Sequence, residues 1–177
     1  MLRRDRDRRS LALSQRSYLA SIIRHYGFED LKPISIPMDV NIRLPTTQSP
    51  STSIEYAEMR DIPYHETVGS AMYATIATRP DTAYPVQTVS RFSSNPGLTH
   101  WKAVKKMYQY YKGTTDLWLT YGGGQKQPLT GYSDADGSMG EDRKAILGYA
   151  FLINGGAVSW SAGDRKSFPY PPPSQNI

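Results

Sequence analysis

The stretch GYSDADGSMGEDRKAILGYAFLINGGAVSWSA, residues Gly131 to Ala162, decides the fold class. It contains short runs of apolar, aromatic and small residues that are separated by Gly and Asp. Such runs are typical of β-strands, and the Asn-Gly-Gly at 154–156 is a tight-turn signal between two of them. Together with the strand-like run from Leu117 to Tyr121, they predict an antiparallel β-meander.

Upstream of this meander the apolar residues follow the spacing of helices. A helix capped by Ser14 is predicted to end at Gly27, and three more are predicted within residues 54–113, with Asp81 and Thr99 as caps of the last two. Helices followed by an antiparallel meander indicate an α+β fold rather than a parallel α/β sheet. The stripes expected to face the core are Tyr18, Leu19, Ile22, Ile23 and Tyr26; Val68, Met72, Thr75 and Ile76; and Trp101, Val104, Tyr108 and Tyr111.

Composition shifts divide the chain into five segments. The charged start MLRRDRDRRS is expected to be a frayed end or a charged edge, and the proline-rich tail is expected to be disordered because proline removes backbone donors. The segments are 1–30 with a short strand and a helix, the Pro/Ser/Thr-rich linker 31–53, the three-helix region 54–113, the meander 114–166 and the tail 167–177.

The balance of charge and residue types limits the function classes. The net charge is +5 and the isoelectric point about 9.4, which favours nucleic acid first and anionic membrane surfaces second, with a solvated basic surface as the alternative. Cysteine is absent, which excludes disulfides, thiolate zinc sites and a cysteine nucleophile. No secretory signal or run of about 18 apolar residues is present, so we expect no membrane partner and an intracellular location, cytoplasm or nucleus.

The helix predicted over THWKAVKKMYQYYKG combines basic residues with aromatic ones. Its lysines fall mostly outside the aromatic stripe, an arrangement that favours nucleic-acid binding. The alternative is a surface helix whose lysine stems cover apolar neighbours. The lysines concerned are Lys102, Lys105, Lys106 and Lys112.

Asp134 and Asp136 are the candidates for a metal site. Side chains alternate along a strand, so the two carboxylates share a face if both lie in regular strand. Neighbouring carboxylates repel unless a cation lies between them, and their oxygens suit magnesium or manganese. The alternative is a solvated turn in which aspartate favours the bend. Glu141 and Asp142 follow in the same stretch, whereas His25, His65 and His100 lack metal-ligand spacing and are expected to be surface or capping residues.

The runs VGSAMYATIATRPD, SRFSSNPGLTHWKAVKK, YYKGT and GYSDAD occur in this order in the chain. In sequence and spacing they resemble the Pol polyproteins of copia-type LTR retrotransposons, over about residues 11 to 166. The resembling region follows the reverse transcriptase palm and continues into RNase H. The resemblance therefore implies a helical connection region followed by an incomplete RNase H-like meander.

The resemblance also implies roles for the candidate catalytic carboxylates. The family's polymerase carboxylates lie upstream of the stretch that matches Leu11, and Asp134 matches the first metal-binding aspartate of RNase H, with Asp136 as a second candidate. Magnesium or manganese serves the family, and its next ligand comes from a helix whose pattern this chain loses after Lys166. Two-metal hydrolysis needs enough carboxylates to hold two ions about 4 Å apart, and Asp134, even with Asp136, cannot do this. We therefore expect Asp134 to be a vestigial ligand, and we expect no tightly bound metal and no nuclease activity.

Three functions follow as hypotheses. The first is weak, salt-sensitive binding to RNA, DNA or their hybrid. The second is a metal-dependent RNase H with replacement carboxylates, and the third is a protein-interaction module that uses the proline-rich tail. Poor burial of the meander's aromatic residues would in addition favour self-association. The residues concerned are Lys102, Lys105, Lys106, Lys112, Arg3 and Arg4 for binding, Asp134, Glu141, Asp142 and Asp164 for hydrolysis, and Tyr149, Phe151 and Trp160 for association.

Overall fold

The computed structural model describes residues 1–39, 42, 44–122, 128–136 and 146–164. Within these residues the chain forms five α-helices and two three-stranded antiparallel sheets, which confirms the predicted α+β class. The helices are α1 (Arg16–His25), α2 (Ser53–Met59), α3 (Tyr64–Thr78), α4 (Ala83–Ser90) and α5 (Leu98–Gly113). The strands are β1 (Leu2–Asp5), β2 (Ser10–Leu13), β3 (Leu119–Gly122), β4 (Thr130–Asp136), β5 (Ile146–Ile153) and β6 (Gly156–Asp164). Short 3-10 turns lie at Thr46–Gln48 and Pro80–Thr82.

The main core lies between helices α1, α3, α4 and α5. Tyr108 and Tyr111 of α5 are completely buried there, and their hydroxyls donate to the carbonyls of Thr67 (2.9 Å) and Ala71 (3.3 Å) in α3. A buried tyrosine needs such a partner because an unpaired hydroxyl inside a core costs about 1–3 kcal/mol. The predicted stripes of α1 and α5 are confirmed, with Tyr18, Tyr26 and Trp101 at their half-buried margins.

Helix α3 confirms half of its predicted stripe. Val68 and Thr75 are buried as predicted, but Met72 and Ile76 are exposed by 37% and 69%, and Ala71 and Ala74 are fully buried instead. The prediction was wrong for Met72 and Ile76 because apolar residues occur on all sides of α3, so periodicity alone does not select its buried face. The small side chains of Ala71 and Ala74 suit close helix packing, and α3 packs directly against α4.

The end of α1 follows its sequence signal closely. Gly27 has a φ of 68° and donates its N–H to the Arg24 carbonyl (3.0 Å), while Phe28 donates to Ile23 (2.8 Å). This is a Schellman motif, for which glycine is favoured because it adopts positive φ without steric cost. At the other end Ser14 lies just outside the helix and accepts the N–H of Arg16 at 3.2 Å. The N-cap is therefore Gln15 and not Ser14.

The helix α2 was not predicted. It begins at a reciprocal capping box, in which the Thr52 hydroxyl accepts the Glu55 N–H (3.3 Å) and the Glu55 carboxylate accepts the Thr52 N–H (3.0 Å). The predicted helices of the 54–113 region correspond to α3, α4 and α5. No helix within the described residues is long and apolar enough to cross a membrane.

The charged start of the chain is a β-hairpin. Strand β1 pairs with β2, and β2 pairs in turn with β3. Of the two expectations for this segment, the charged edge is therefore confirmed and the frayed end is wrong. The expectation of one continuous meander over 114–166 was wrong, because β3 joins this N-terminal sheet rather than β4. Strand pairing between distant parts of a chain depends on the tertiary fold and leaves no local signal.

The second sheet, in the order β4-β5-β6, carries the predicted tight turn. Asn154 and Gly155 both have positive φ (49° and 78°), as a two-residue hairpin turn requires. Trp160 is half-buried and donates its indole N–H to the Thr75 carbonyl of α3 at 3.1 Å, which anchors β6 to the helices. Phe151 is 41% exposed, as expected for an incompletely covered sheet. Strand β4 is an edge strand within the described residues, and self-association along it stays a prediction.

Candidate nucleic-acid interface

The N-terminus of α5 is capped by a buried histidine. The Nδ1 atom of His100 accepts the N–H of Gly97 at 2.9 Å, and its ring stacks on Phe92 with centroids 3.8 Å apart. His100 is fully buried, and this burial lowers the pKa of its imidazole. The carbonyl of Pro45 lies close enough to oppose that shift without completing a hydrogen bond of normal geometry to Nε2. The capping role was among the expected ones, whereas Thr99 does not cap the helix.

Three of the four predicted lysines lie on the outer side of α5. Lys102 and Lys106 are exposed and Lys105 is half-buried, while Ala103 and Val104 between them face the core. Their spacing of three and four residues places them together on one side of the helix. None of the three forms an ion pair with another described residue, and α5 itself contains no acidic residue. They form a positive patch, named here the α5 lysine patch.

Lys112 is engaged differently. Its ammonium donates to the main-chain carbonyls of Glu29 and Leu31, the latter at 2.9 Å. These bonds tie the segment that follows α1 to the end of α5. The charge remains on the surface, but two of its three donor positions serve the fold.

Arg3 and Arg4 lie on β1, the outer strand of the first sheet, and both are exposed. The hairpin turn that follows adds Arg6, Arg8 and Arg9. The structure thus places the predicted N-terminal arginines on an edge that a polyanion can reach. They belong to a different secondary-structure element from the α5 lysine patch.

Asp134 lies exposed on β4, with its backbone paired to Gly148 of β5. Asp136 is the last residue of β4 and its backbone pairs with Ile146, but its side chain lies outside the described part of the structure. Glu141 and Asp142 lie outside it as well, as do the side chain of Asp164 and the tail 167–177. Among the described residues there is no group of three or more metal-ligating side chains.

A buried arginine that sequence reasoning missed joins α3 to the end of α5. Arg79 is 3% exposed and donates to the Asp81 carboxylate at 2.7 and 3.0 Å and to the Thr114 hydroxyl at 2.7 Å. Its guanidinium also lies 5.2 Å from the ring centroids of Tyr110 and Tyr111. Burial by itself would lower the pKa of Arg79, but the hydrogen bonds and charge of Asp81 outweigh it and raise that pKa.

The prediction that Asp81 caps α4 was therefore wrong. The Asp81 carboxylate accepts from Arg79 and from the Tyr110 hydroxyl at 2.7 Å, whereas the residue at the N-cap of α4 is Thr82. The signal that could have revealed the pair is the Arg-Pro-Asp sequence at 79–81, since proline ends the helix and brings residues two apart side by side.

Comparisons with known proteins identify the family of the chain. The chain is 42% identical over 165 residues to the retrovirus-related Pol polyprotein from transposon TNT 1-94 of Nicotiana tabacum, covering 92% of this chain and 12% of that protein. It is 32% identical over 157 residues to the Pol polyprotein from transposon RE2 of Arabidopsis thaliana, covering 88% of this chain and 10% of that protein. It is also 40% identical over 111 residues to the secreted RxLR effector protein 161 of Plasmopara viticola, covering 62% of this chain and 78% of that protein.

No family model and no solved structure matches the chain. The RNase H-like assignment of the second sheet accordingly rests on the sequence resemblance. The chain spans about a tenth of the length of the two Pol polyproteins, so their activities as whole proteins are not transferred to it. The extent and identity of these matches place the chain among the retrovirus-related Pol polyproteins of copia-type transposons.

Proposed function

We propose that this chain is a nucleic-acid-binding segment of a retrotransposon Pol polyprotein that does not cleave nucleic acid by itself. The α5 lysine patch carries the proposal. Lys102, Lys105 and Lys106 lie on one side of a rigid helix, have no acidic partner among the described residues, and can each approach a phosphate. The net charge of +5 adds a general attraction for polyanions.

The binding expected from such a patch is electrostatic and independent of base sequence. Each lysine that contacts a phosphate releases condensed counterions, so affinity falls as salt rises. Helix α5 is well suited to hold the patch because its inner face is anchored by the buried Tyr108 and Tyr111. The backbone positions of the three lysines are therefore fixed relative to one another by the packing of the helix.

The double variant Lys102→Gln/Lys106→Gln is expected to weaken binding to an RNA–DNA hybrid about tenfold or more at 0.1 M salt. The slope of log affinity against log salt should fall by about 2, one for each lost phosphate contact. Fluorescence anisotropy at several salt concentrations measures both quantities. The matched control is Arg16→Gln/Arg60→Gln, which removes the same charge from exposed positions off α5. Equal losses in the two double variants, or affinity that is insensitive to salt, would contradict the proposal.

We expect the wild-type chain to leave a labelled RNA–DNA hybrid intact in magnesium or manganese. Two-metal hydrolysis needs several carboxylates, and Asp134 is the only one among the described side chains of the second sheet. Gel electrophoresis of the hybrid after incubation checks this, with Asp134→Asn as the control. Metal-dependent cleavage that disappears in Asp134→Asn would establish instead the RNase H alternative, for which Glu141, Asp142 and Asp164 are the candidate replacement carboxylates.

A further inference from the structure

A shallow groove lies beside the β1–β2 hairpin, away from α5. It has a volume of about 910 Å³, and one of its walls is the turn between the two strands. Its lining combines arginines with an apolar floor and one aromatic ring. The residues that matter are Arg4, Arg6, Arg9, Leu11, Tyr121 and Asn154.

The register of the first sheet sets the floor of this groove. Arg4 pairs with Leu11 of β2, and Leu11 pairs with Tyr121 of β3, so the three residues form one row across the sheet. Directly opposed residues in antiparallel strands project from the same face. Successive residues in such a row are about 5 Å apart, which puts Arg4 and Tyr121 about 10 Å from each other. A cation and an aromatic ring thus flank an apolar side chain that is 36% exposed.

The positive charge of the groove is largely uncompensated. Asp5 is the only acidic residue in its lining among the described residues. The Asp5 carboxylate already accepts the backbone N–H of Arg8 at 2.9 Å and lies 3.8 Å from the Arg8 guanidinium. Arg4, Arg6 and Arg9 form no ion pair with any described residue.

The turn places Arg9 in an unusual backbone conformation. Its φ is 50°, in the left-handed region that favours glycine, and its carbonyl packs against Gly122 so closely that a Cβ at Gly122 would lie 2.3 Å away. An arginine in this conformation costs about 1 kcal/mol more than a glycine. The geometry therefore allows a substitution, Arg9→Gly, that removes the charge without straining the turn.

The ring of Tyr121 is held in place from the second sheet. Its hydroxyl donates to the Ala157 carbonyl at 2.6 Å. Gly156 packs against the ring edge, where an added Cβ would lie 2.4 Å from Cδ1. Tyr121 is half-buried, so part of its ring remains accessible and its orientation is determined by contacts outside the groove.

We propose that this groove binds a single-stranded segment of RNA or DNA, with Arg4, Arg6 and Arg9 contacting phosphates and Tyr121 stacking on an unpaired base. The inference rests on the proposed nucleic-acid binding and adds a second contact surface and the form of nucleic acid that it takes. Positively charged grooves that carry an aromatic platform are the usual solution for single strands, because every unpaired base has a face to stack. A duplex keeps its bases stacked internally and has none to offer Tyr121.

The test measures binding of a 12-nucleotide oligo(dT) and of the same strand paired with oligo(dA), by fluorescence anisotropy over a range of salt. Arg6→Gln and Arg9→Gly are each expected to weaken oligo(dT) binding several-fold and to lower the salt slope by about 0.7. Tyr121→Leu should weaken it about tenfold with the salt slope unchanged, because stacking is not ionic. Duplex binding should be the same for Tyr121→Leu as for the wild type.

The matched control is Arg60→Gln, which removes a charge from an exposed position outside the groove and breaks no ion pair among the described residues. Equal losses in Arg6→Gln and Arg60→Gln, or an unchanged affinity in Tyr121→Leu, would overturn the inference. If Lys102→Gln/Lys106→Gln weakens binding and the groove variants do not, the proposed function stands and the groove inference fails. If the wild-type chain binds neither probe, both fail. Circular dichroism and urea unfolding establish that each variant is folded.

Discussion

Arg79→Met is expected to lower the free energy of unfolding by about 2 kcal/mol or more. The guanidinium of Arg79 is 3% exposed and makes charge-assisted hydrogen bonds to Asp81 and Thr114, while the side chain of Asp81 is 32% exposed. The substitution removes these bonds and leaves the Thr114 hydroxyl without its charged donor, whereas water can still solvate the Asp81 carboxylate. Tyr110 loses its cation neighbour at the same time.

Urea unfolding followed by circular dichroism measures this effect, and two further variants give it meaning. Arg79→Lys keeps the charge but loses the planar fork that binds Asp81 and Thr114 together, so its loss should lie between those of the wild type and Arg79→Met. Arg24→Met breaks an ion pair with Glu29 whose side chains are 75% and 58% exposed, and it should cost no more than about 0.5 kcal/mol. An Arg79→Met protein within about 1 kcal/mol of Arg24→Met would refute the structural role assigned to Arg79.

His100→Ala is expected to destabilise the chain by about 3 kcal/mol. The substitution removes the cap at Gly97, worth about 1 kcal/mol, and leaves a cavity beside Phe92 where the ring stacked. The informative second variant is His100→Ser, because a hydroxyl suits N-terminal helix positions but does not fill the cavity. Urea unfolding at about pH 8 compares the three proteins without any charge on the imidazole.

The same histidine should make stability depend on pH. Burial lowers the pKa of His100 in the folded chain, whereas in the unfolded chain it lies near 6.5. Below that value the unfolded chain binds the proton more readily, so the free energy of unfolding is unaffected above about pH 6.5 and falls as the pH drops toward the folded-state pKa. The difference between wild type and His100→Ala should therefore shrink from about pH 8 to about pH 5.5. A difference that is constant over this interval would mean that His100 does not titrate differently on folding.

Much of the helical half was predictable because its signals are local. Gly27 ends α1 with the expected positive φ, and the stripe of α5 that contains Val104, Tyr108 and Tyr111 is buried as its spacing indicated. The turn at Asn154 and Gly155 also forms as predicted. In each case the preference lies within a few neighbouring residues, so the sequence contains the whole cause.

The errors occurred where distant residues decide. Asp81 has the right chemistry for a helix cap, but its carboxylate instead accepts hydrogen bonds from the buried side chains of Arg79 and Tyr110. Thr99 loses the capping role to His100, whose ring is held by Phe92. Local propensity gives way when a tertiary contact satisfies the same group with a charge or a packed ring.

The candidate sites divide along the same line. The family, the lysines of α5 and the aspartate Asp134 were all recognisable in the sequence, since each is a matter of residue type and spacing. Only the tertiary structure shows that Lys112 is engaged by main-chain carbonyls, that β3 joins the N-terminal hairpin, and that Tyr121 comes to lie in one row with Arg4. The physical reason is that helix faces and turns are set by contacts a few residues apart, whereas strand partners, buried ion pairs and grooves are set by which distant surfaces the folded chain brings together.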